Sequence, residues 1–178
     1  MSNFTVPTKG EISASNEAIV ENLEKAIGFR PNLYTYMARN ETALADYLAL
    51  QNRKSTLRAK EREIINLVVS QVNYCSYCLA AHTAVAKRVG FSDEQILQIR
   101  RGGLIFDHKL AALAEFVKET VVNRGHPSYE ATDELFSAGY NEANLIDIIM
   151  TIGDKTITNY LHGITHLPVD FPAAPELE

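Results

Sequence analysis

Two cysteines and a histidine form the part of this sequence with the clearest chemistry. Cys75 and Cys78 are the only cysteines in the chain, and His82 follows the second of them by four residues. On a helix that begins after Cys75, the three side chains share one face. Free backbone N–H groups in the first turn favour an anion and lower the pKa of a thiol. The pattern therefore predicts a thiolate, with a second thiol close enough to form a disulfide after oxidation.

Glu63 is the candidate partner of His82. It lies on the preceding predicted helix, roughly three turns before that helix ends. If the two helices pack antiparallel, the Glu63 carboxylate can reach the imidazole, orient it and raise its basicity. The alternative is a solvated surface acid, which is our interpretation of Glu61. Because Glu63 precedes Ile64 and stays within the apolar register, we favour a buried carboxylate with a partner.

The remaining sequence predicts the helices that position these residues. Apolar residues recur at helical spacing, and no stretch alternates in the way a strand does. The predicted helices cover about 15–27, 31–37, 40–50, 57–73, 76–89, 92–100, 107–125, 128–138 and 141–163. Three prolines after Gly163 predict an extended tail over 164–178. We therefore predict one all-α domain over 1–178, with the motif region at 57–91.

Composition excludes several classes of function. The net charge of −5, without a dense run of Lys and Arg, argues against binding to nucleic acid or to an anionic membrane. No apolar stretch reaches the ~20 residues that a membrane helix needs. The first residues do not have the pattern of a secretory signal, so we expect a cytoplasmic protein. In that reducing compartment, two cysteines three residues apart are more often catalytic or metal-binding than a structural disulfide.

The motif as a whole resembles a known family. A Glu twelve residues before a Cys-x-x-Cys, with a His four residues after it, is similar to the signature of the AhpD-like group in the carboxymuconolactone decarboxylase superfamily. The flanking segments 61–65 and 80–83 and the tail segment 167–172 resemble its peroxidase-related branch. The resemblance implies a single-domain AhpD-like helical bundle with the Cys-x-x-Cys at the N-terminus of a core helix.

The same resemblance implies an activity, namely thiol-dependent reduction of hydroperoxides. Cys78 would attack the terminal oxygen of the hydroperoxide and Cys75 would resolve the sulfenic acid. Glu63 and His82 would relay the proton, and an external dithiol, lipoyl or thioredoxin-like, would regenerate the thiols. No cofactor or metal is implied, and the family's homo-oligomers are trimers or hexamers. Tyr77 departs from the family pattern, which has His there; a phenol with a pKa of about 10 is a poor base at pH 7.

Several alternatives remain open on the sequence. The cysteines could be inert buried side chains, or they could bind zinc together with His82, although no second ligand pair lies nearby. The chain could be a lyase like the decarboxylases of the superfamily, which do not rely on the Cys-x-x-Cys. It could also be a non-enzymatic, redox-sensing oligomeric module. The apolar run 146–157 predicts a core segment or a subunit interface.

Overall fold

The all-α prediction is confirmed by the computed structural model, which describes residues 4–103 and 106–177. Within those ranges the chain forms nine helices and no strand, and none of the helices is long and apolar enough to cross a membrane. They are α1 (Ala14–Ile27), α2 (Asn32–Met37), α3 (Ala43–Gln51), α4 (Ala59–Val72), α5 (Ser76–Arg88), α6 (Asp93–Arg101), α7 (His108–Val122), α8 (Tyr129–Ser137) and α9 (Glu142–Thr165). The predicted domain 1–178 also includes residues 1–3, 104–105 and 178, which lie outside the described residues.

The central helix of the bundle is α4, which packs against α5, α6, α7 and α9. Its apolar residues are buried on every side, and Ile64, Ile65 and Val69 are completely inaccessible to solvent. A helix surrounded in this way has no solvent face along most of its length. Polar residues within it are therefore buried too, and this is how Glu63 comes to lie in the interior.

The interpretation of Glu61 as a solvated surface acid is wrong. The Glu61 carboxylate accepts a hydrogen bond from the backbone N–H of Arg58 at 2.7 Å, which satisfies a free donor at the start of α4. The Tyr140 hydroxyl donates to its other oxygen at 3.1 Å. Both bonds turn the side chain toward the core, so that Glu61 is buried. Its role is to cap the central helix.

A second, smaller layer is formed by α1, α2 and α3. Its core residues include Val20, Leu44 and Tyr47, and Leu161 of α9 packs against them. Leu33 of α2 contacts the cluster that contains both cysteines. This layer thus closes one side of the region around the Cys-x-x-Cys.

The last helix is longer than predicted and the tail returns to the bundle. α9 continues two residues past Gly163 and ends where His166 takes a left-handed conformation, with φ at 48°. The tail that follows is non-helical, as its prolines indicate. The Asp170 carboxylate accepts a hydrogen bond from the backbone N–H of Asn32, and Phe171 packs edge-on against Phe29. The tail therefore covers the side of the bundle where α5 begins.

Candidate active site

The turn between α4 and α5 positions the two thiols. Tyr74 takes a left-handed conformation with φ at 53°, which reverses the chain between the helices. Cys75 is the N-cap of α5, and its Sγ accepts the backbone N–H of Cys78 at 3.2 Å. The Sγ atoms of Cys75 and Cys78 lie 2.6 Å apart, and both residues are buried free thiols. The two sulfurs are therefore adjacent to each other on the same side of the helix.

Glu63 and His82 are brought together by the packing of α4 against α5. The distance from Glu63 Oε2 to His82 Nδ1 is 2.8 Å, and the Asn66 side-chain amide donates to Glu63 Oε1 at 2.9 Å. Burial on its own would raise the pKa of Glu63, but the charge and hydrogen bond of His82, together with Asn66, lower it overall. An ionised carboxylate only accepts hydrogen bonds, so we place the proton of this hydrogen bond on the Nδ1 atom of His82. His82 Nε2 is then the nitrogen left to take a further proton.

The two cysteines differ in acidity. The pKa of Cys78 falls below that of an ordinary thiol, chiefly because the Cys75 S–H donates to its sulfur. Burial opposes this shift, whereas the charges of Lys155 and His82 and the Asn159 amide favour the anion. The same hydrogen bond and burial raise the pKa of Cys75. Cys78 is therefore the thiolate of the pair and Cys75 is the thiol.

A cavity of about 480 Å³ opens onto one of the two sulfurs. Cys78, Glu63 and His82 line it, whereas Cys75 lies behind Cys78 and does not. The volume is within the range of sites that bind small molecules. The residue with the lower pKa is thus also the one that a small substrate can reach. Apolar side chains make up much of the wall, among them Ile27, Phe29, Leu33, Leu50, Val85 and Phe171.

Tyr77 forms part of the cavity wall. Its ring packs against His162 and Phe171, with centroid separations of 5.4 and 5.6 Å. Its hydroxyl accepts the backbone N–H of Leu33 at 3.3 Å. Burial raises its pKa, so it does not act as a base near neutral pH. The position that departs from the family pattern therefore has a packing role in this chain.

Sequence reasoning missed the residues that α9 places beside the thiols. Lys155 lines the cavity, and the Asn159 amide lies between the side chains of Asn73 and Ser70. The sequence signal that could have found them is a series of polar residues at helical spacing in α9. It includes Thr151, Asp154, Lys155, Thr158, Asn159 and His162, all of them buried. The apolar residues of α9 dominate its sequence pattern, but its polar side is the one that faces the site.

The side chains around the thiols are paired in a way that differs from a metal centre. No arrangement of three His, Cys, Asp or Glu side chains that could hold a metal ion occurs in the ranges 4–103 and 106–177. Cys75 and Cys78 contact each other, whereas His82 contacts Glu63. Metal analysis of the reduced protein therefore tests whether the two thiols and His82 bind zinc.

Comparison with known proteins finds a family similarity centred on the motif. The family model for carboxymuconolactone decarboxylases matches residues 37–118, a range that contains Glu63, both cysteines and His82. Over that range, which is somewhat under half of its length, the chain is similar to the carboxymuconolactone decarboxylase family. One protein of similar sequence is the uncharacterised protein YdfG of Bacillus subtilis (strain 168). It is 26% identical over 106 residues, which make up 56% of this chain and 69% of YdfG.

Solved structures share the fold of this chain over nearly its whole length. The AhpD-core, peroxidase-related protein of Ralstonia eutropha JMP134 has a TM-score of 0.84 at 17% identity, covering 95% of this chain and 92% of that one. A peroxidase-related protein of Silicibacter sp. TM1040 has a TM-score of 0.79 at 22% identity, covering 99% of this chain and 95% of that one. The debrominase Bmp8 in complex with 2,3,4-tribromopyrrole has a TM-score of 0.79 at 16% identity, covering 96% of this chain and 92% of that one. The AhpD-like fold is therefore shown, and it occurs in proteins with different reactions.

Proposed function

We propose that this protein is a thiol-dependent hydroperoxide reductase that works through Cys78 and Cys75. The observation that carries the proposal is that the sulfur with the lowered pKa lines the cavity, 2.6 Å from a second thiol. The Glu63–His82 pair in the same cavity supports it, because it offers a proton acceptor. The AhpD-like fold is a further argument for peroxidase-related chemistry.

The first step oxidises Cys78. His82 Nε2 takes the thiol proton, directly or through a water, and the thiolate attacks the terminal oxygen of the hydroperoxide ROOH. An S–O bond forms as the O–O bond breaks, so the sulfur becomes a sulfenic acid and the peroxide is reduced to the alkoxide RO⁻. His82 returns the proton to that alkoxide, which leaves as the alcohol ROH. Glu63 stabilises the imidazolium in the interval.

The second and third steps restore the enzyme. The Cys75 sulfur attacks the sulfenic sulfur of Cys78; an S–S bond forms, the S–O bond breaks, and hydroxide leaves with the Cys75 proton as water. An external dithiol, lipoyl or thioredoxin-like, then reduces this disulfide by exchange and is itself oxidised to a disulfide. A reducing cytoplasm supplies reductants of this class. The net reaction converts one hydroperoxide and one dithiol into one alcohol, one water and one disulfide.

Thiol counting with matched variants tests the proposal. The fully reduced protein is mixed with cumene hydroperoxide, and free thiols are measured over time in wild type, Cys75→Ser and Cys78→Ser. We expect wild type to lose two thiols per peroxide and Cys75→Ser to lose one, with a sulfenic acid that dimedone traps. Cys78→Ser should react at least a hundredfold more slowly. Equal rates in wild type and Cys78→Ser would overturn the assignment of roles.

The same samples separate the alternatives. A redox-sensing module would form the disulfide with peroxide but would not turn over when a dithiol is supplied. A decarboxylase-like lyase would need only the Glu63–His82 pair as its acid and base, so its activity would survive in the Cys75→Ser, Cys78→Ser double variant. Metal analysis of the reduced protein tests the zinc alternative, for which about one equivalent of zinc per chain is the diagnostic result.

A further inference from the structure

Lys155 is a buried cation whose charge favours the Cys78 thiolate, but which takes no part in the proton transfers of the reaction described above. Its side chain lies on the polar side of α9, and the residue is only 2% exposed. No hydrogen bond or ion pair to its ammonium group is formed within the described part of the chain. Burying an unpaired charge is costly, and proteins normally pair such a group or place it against a ligand. Lys155 lines the cavity, so its ammonium group is available to a molecule bound there.

The other charges around the cavity make it favourable for anions. Four cationic side chains line it, one of which, Arg53, is paired with Asp147, against the two carboxylates of Glu63 and Asp154, although the chain as a whole carries a net charge of −5. Glu63 is already paired with His82. Arg88 is exposed and Arg62 half-buried, which places their charges where the cavity meets solvent. A positive opening of this kind attracts anionic ligands.

The rest of the cavity suits an apolar body. Its wall includes the aliphatic and aromatic side chains of α2 and of the segment before it, together with Phe171 and Pro172 of the tail. A ligand that fills this volume would bury hydrocarbon against those side chains. The cavity therefore fits an amphipathic ligand, with its polar head beside Lys155 and its apolar part against these side chains.

We propose that Lys155 is the residue that binds an acidic group of the substrate, and that the preferred hydroperoxides carry a carboxylate on an apolar chain. This inference rests on the proposed function. The positive charge of Lys155 also favours the Cys78 thiolate, but this effect acts without a direct contact and leaves the ammonium group without a hydrogen-bond acceptor. The Cys78 sulfur takes its hydrogen bond from Cys75, and none joins it to Lys155. The position of Lys155 is better explained by a ligand that is bound only during turnover.

A binding experiment tests the site without depending on peroxidase activity. Calorimetric titration of Cys78→Ser protein with octanoate and with 1-octanol compares one chain length with and without a carboxylate. We expect octanoate to bind at least tenfold more tightly than the alcohol. In the Lys155→Met background that preference should disappear while the affinity for 1-octanol is unchanged. Equal affinity for octanoate with and without Lys155 would overturn the proposal.

Three controls accompany this titration. Lys155→Arg keeps the positive charge and should restore most of the affinity for octanoate. Lys25→Met removes an exposed lysine that does not line the cavity, and it should leave binding of both probes unchanged. Thermal unfolding checks that each variant is folded. Because Met is an apolar residue of similar length, we expect Lys155→Met to unfold at the same temperature as wild type or higher.

A kinetic experiment then distinguishes substrate binding from thiolate stabilisation. The substrates are a fatty-acid hydroperoxide and its methyl ester, which differ only in charge. If Lys155 binds the carboxylate, Lys155→Met raises KM for the acid at least tenfold relative to KM for the ester, on top of any equal loss of rate that removal of its charge near Cys78 causes for both substrates. If Lys155 serves the thiolate alone, the variant lowers the rate for both substrates equally and leaves the ratio of their KM values unchanged, which would refute the proposal. If wild type reduces neither substrate, the proposed function fails, while the titration still decides the anion site.

Discussion

At the scale of single residues, the difference between the two thiols is the main feature of the site. Cys75 gives its S–H to Cys78, so it stays protonated while its partner becomes the anion. The Cys78 backbone N–H at the start of α5 donates to Cys75 and opposes this order, but the S–H donation and burial outweigh it. The order of reaction that we propose rests on these contacts, because the anion faces the cavity and the neutral thiol lies behind it.

The lowered pKa of Cys78 predicts a pH profile for alkylation. The rate of alkylation by iodoacetamide follows the fraction of Cys78 that is thiolate. In wild type this rate should therefore stay high at pH 7 and fall only as the pH drops through the lowered pKa of Cys78. An ordinary thiol, with a pKa of about 8.5, would lose reactivity well above pH 7. The measurement is the alkylation rate from pH 4 to 10, with the site identified by mass spectrometry. In Cys75→Ala the hydrogen bond that the S–H donates to Cys78 is removed, and the midpoint should move upward. A wild-type midpoint at or above 8.5 would contradict the assignment.

Glu63→Gln should slow the oxidation of Cys78 without unfolding the protein. Gln keeps the size of the side chain but removes the charge that stabilises the His82 imidazolium. We expect the rate with cumene hydroperoxide to fall by about a hundredfold, the usual scale for impaired acid–base catalysis. Stopped-flow measurement of thiol oxidation checks this. Glu24→Gln, on the exposed side of α1, is the matched control. A Glu63→Gln rate equal to that of the control would remove Glu63 from the relay.

At the scale of elements, α9 has an unusual distribution of side chains. Its polar residues face the interior, whereas Ile146, Ile157 and Ile164 are 65%, 46% and 66% exposed. The apolar run 146–157 is thus only partly core. The inward polar side supplies the site with Lys155 and Asn159, and its first turns anchor the segment before α4 through Asp147.

Asp147 should contribute stability that depends on pH. Burial would raise its pKa, but hydrogen bonds from Thr56 and Ser55 and the ion pair with Arg53 lower it to about 2. Since the unfolded value is about 3.9, the contribution is complete above pH 4 and is lost as pH falls toward 2. We expect Asp147→Asn to lower the free energy of unfolding by about 1–2 kcal/mol at pH 7.

Urea unfolding of Asp147→Asn at pH 7 and at pH 3 is the measurement. The difference from wild type should shrink at the lower pH, because wild type is then losing the same contribution. Asp133→Asn, an exposed acid on α8, is the control and should change the stability little at either pH. A destabilisation of Asp147→Asn that is equal at the two pH values would show that its charge is not the cause.

At the scale of the whole molecule, the exposed side of α9 is the surface most suited to self-association. Its apolar residues are spaced alternately four and three apart at positions 146, 150, 157, 160 and 164, with Gly153 completing the series. This spacing is typical of helices that pack against another helix. It supports the expectation of a homo-oligomer, and the trimer or hexamer stays a prediction.

Ile157→Lys should therefore weaken the oligomer. A charge at the centre of the exposed stripe would have to be buried when two helices pack there. The molar mass from light scattering after gel filtration should fall toward the 19.8 kDa of a single chain. Val122→Lys makes the same change at an exposed apolar residue of α7, and it should leave the mass unchanged. An Ile157→Lys protein with the mass of wild type would place the interface elsewhere.

The sequence alone was sufficient to predict the helices and the proximity of the two thiols at the start of α5. Helical periodicity and capping residues are local properties, so the elements and the shared face of Cys75, Cys78 and His82 followed from spacing. Only the tertiary structure decided that Glu63 meets His82, that Glu61 turns inward and that α9 faces the cavity with its polar side. A helix with one polar and one apolar face does not encode which of them its neighbours will cover. That choice depends on how α4, α5 and α9 pack together, and it is what puts Lys155 beside Cys78 in one cavity.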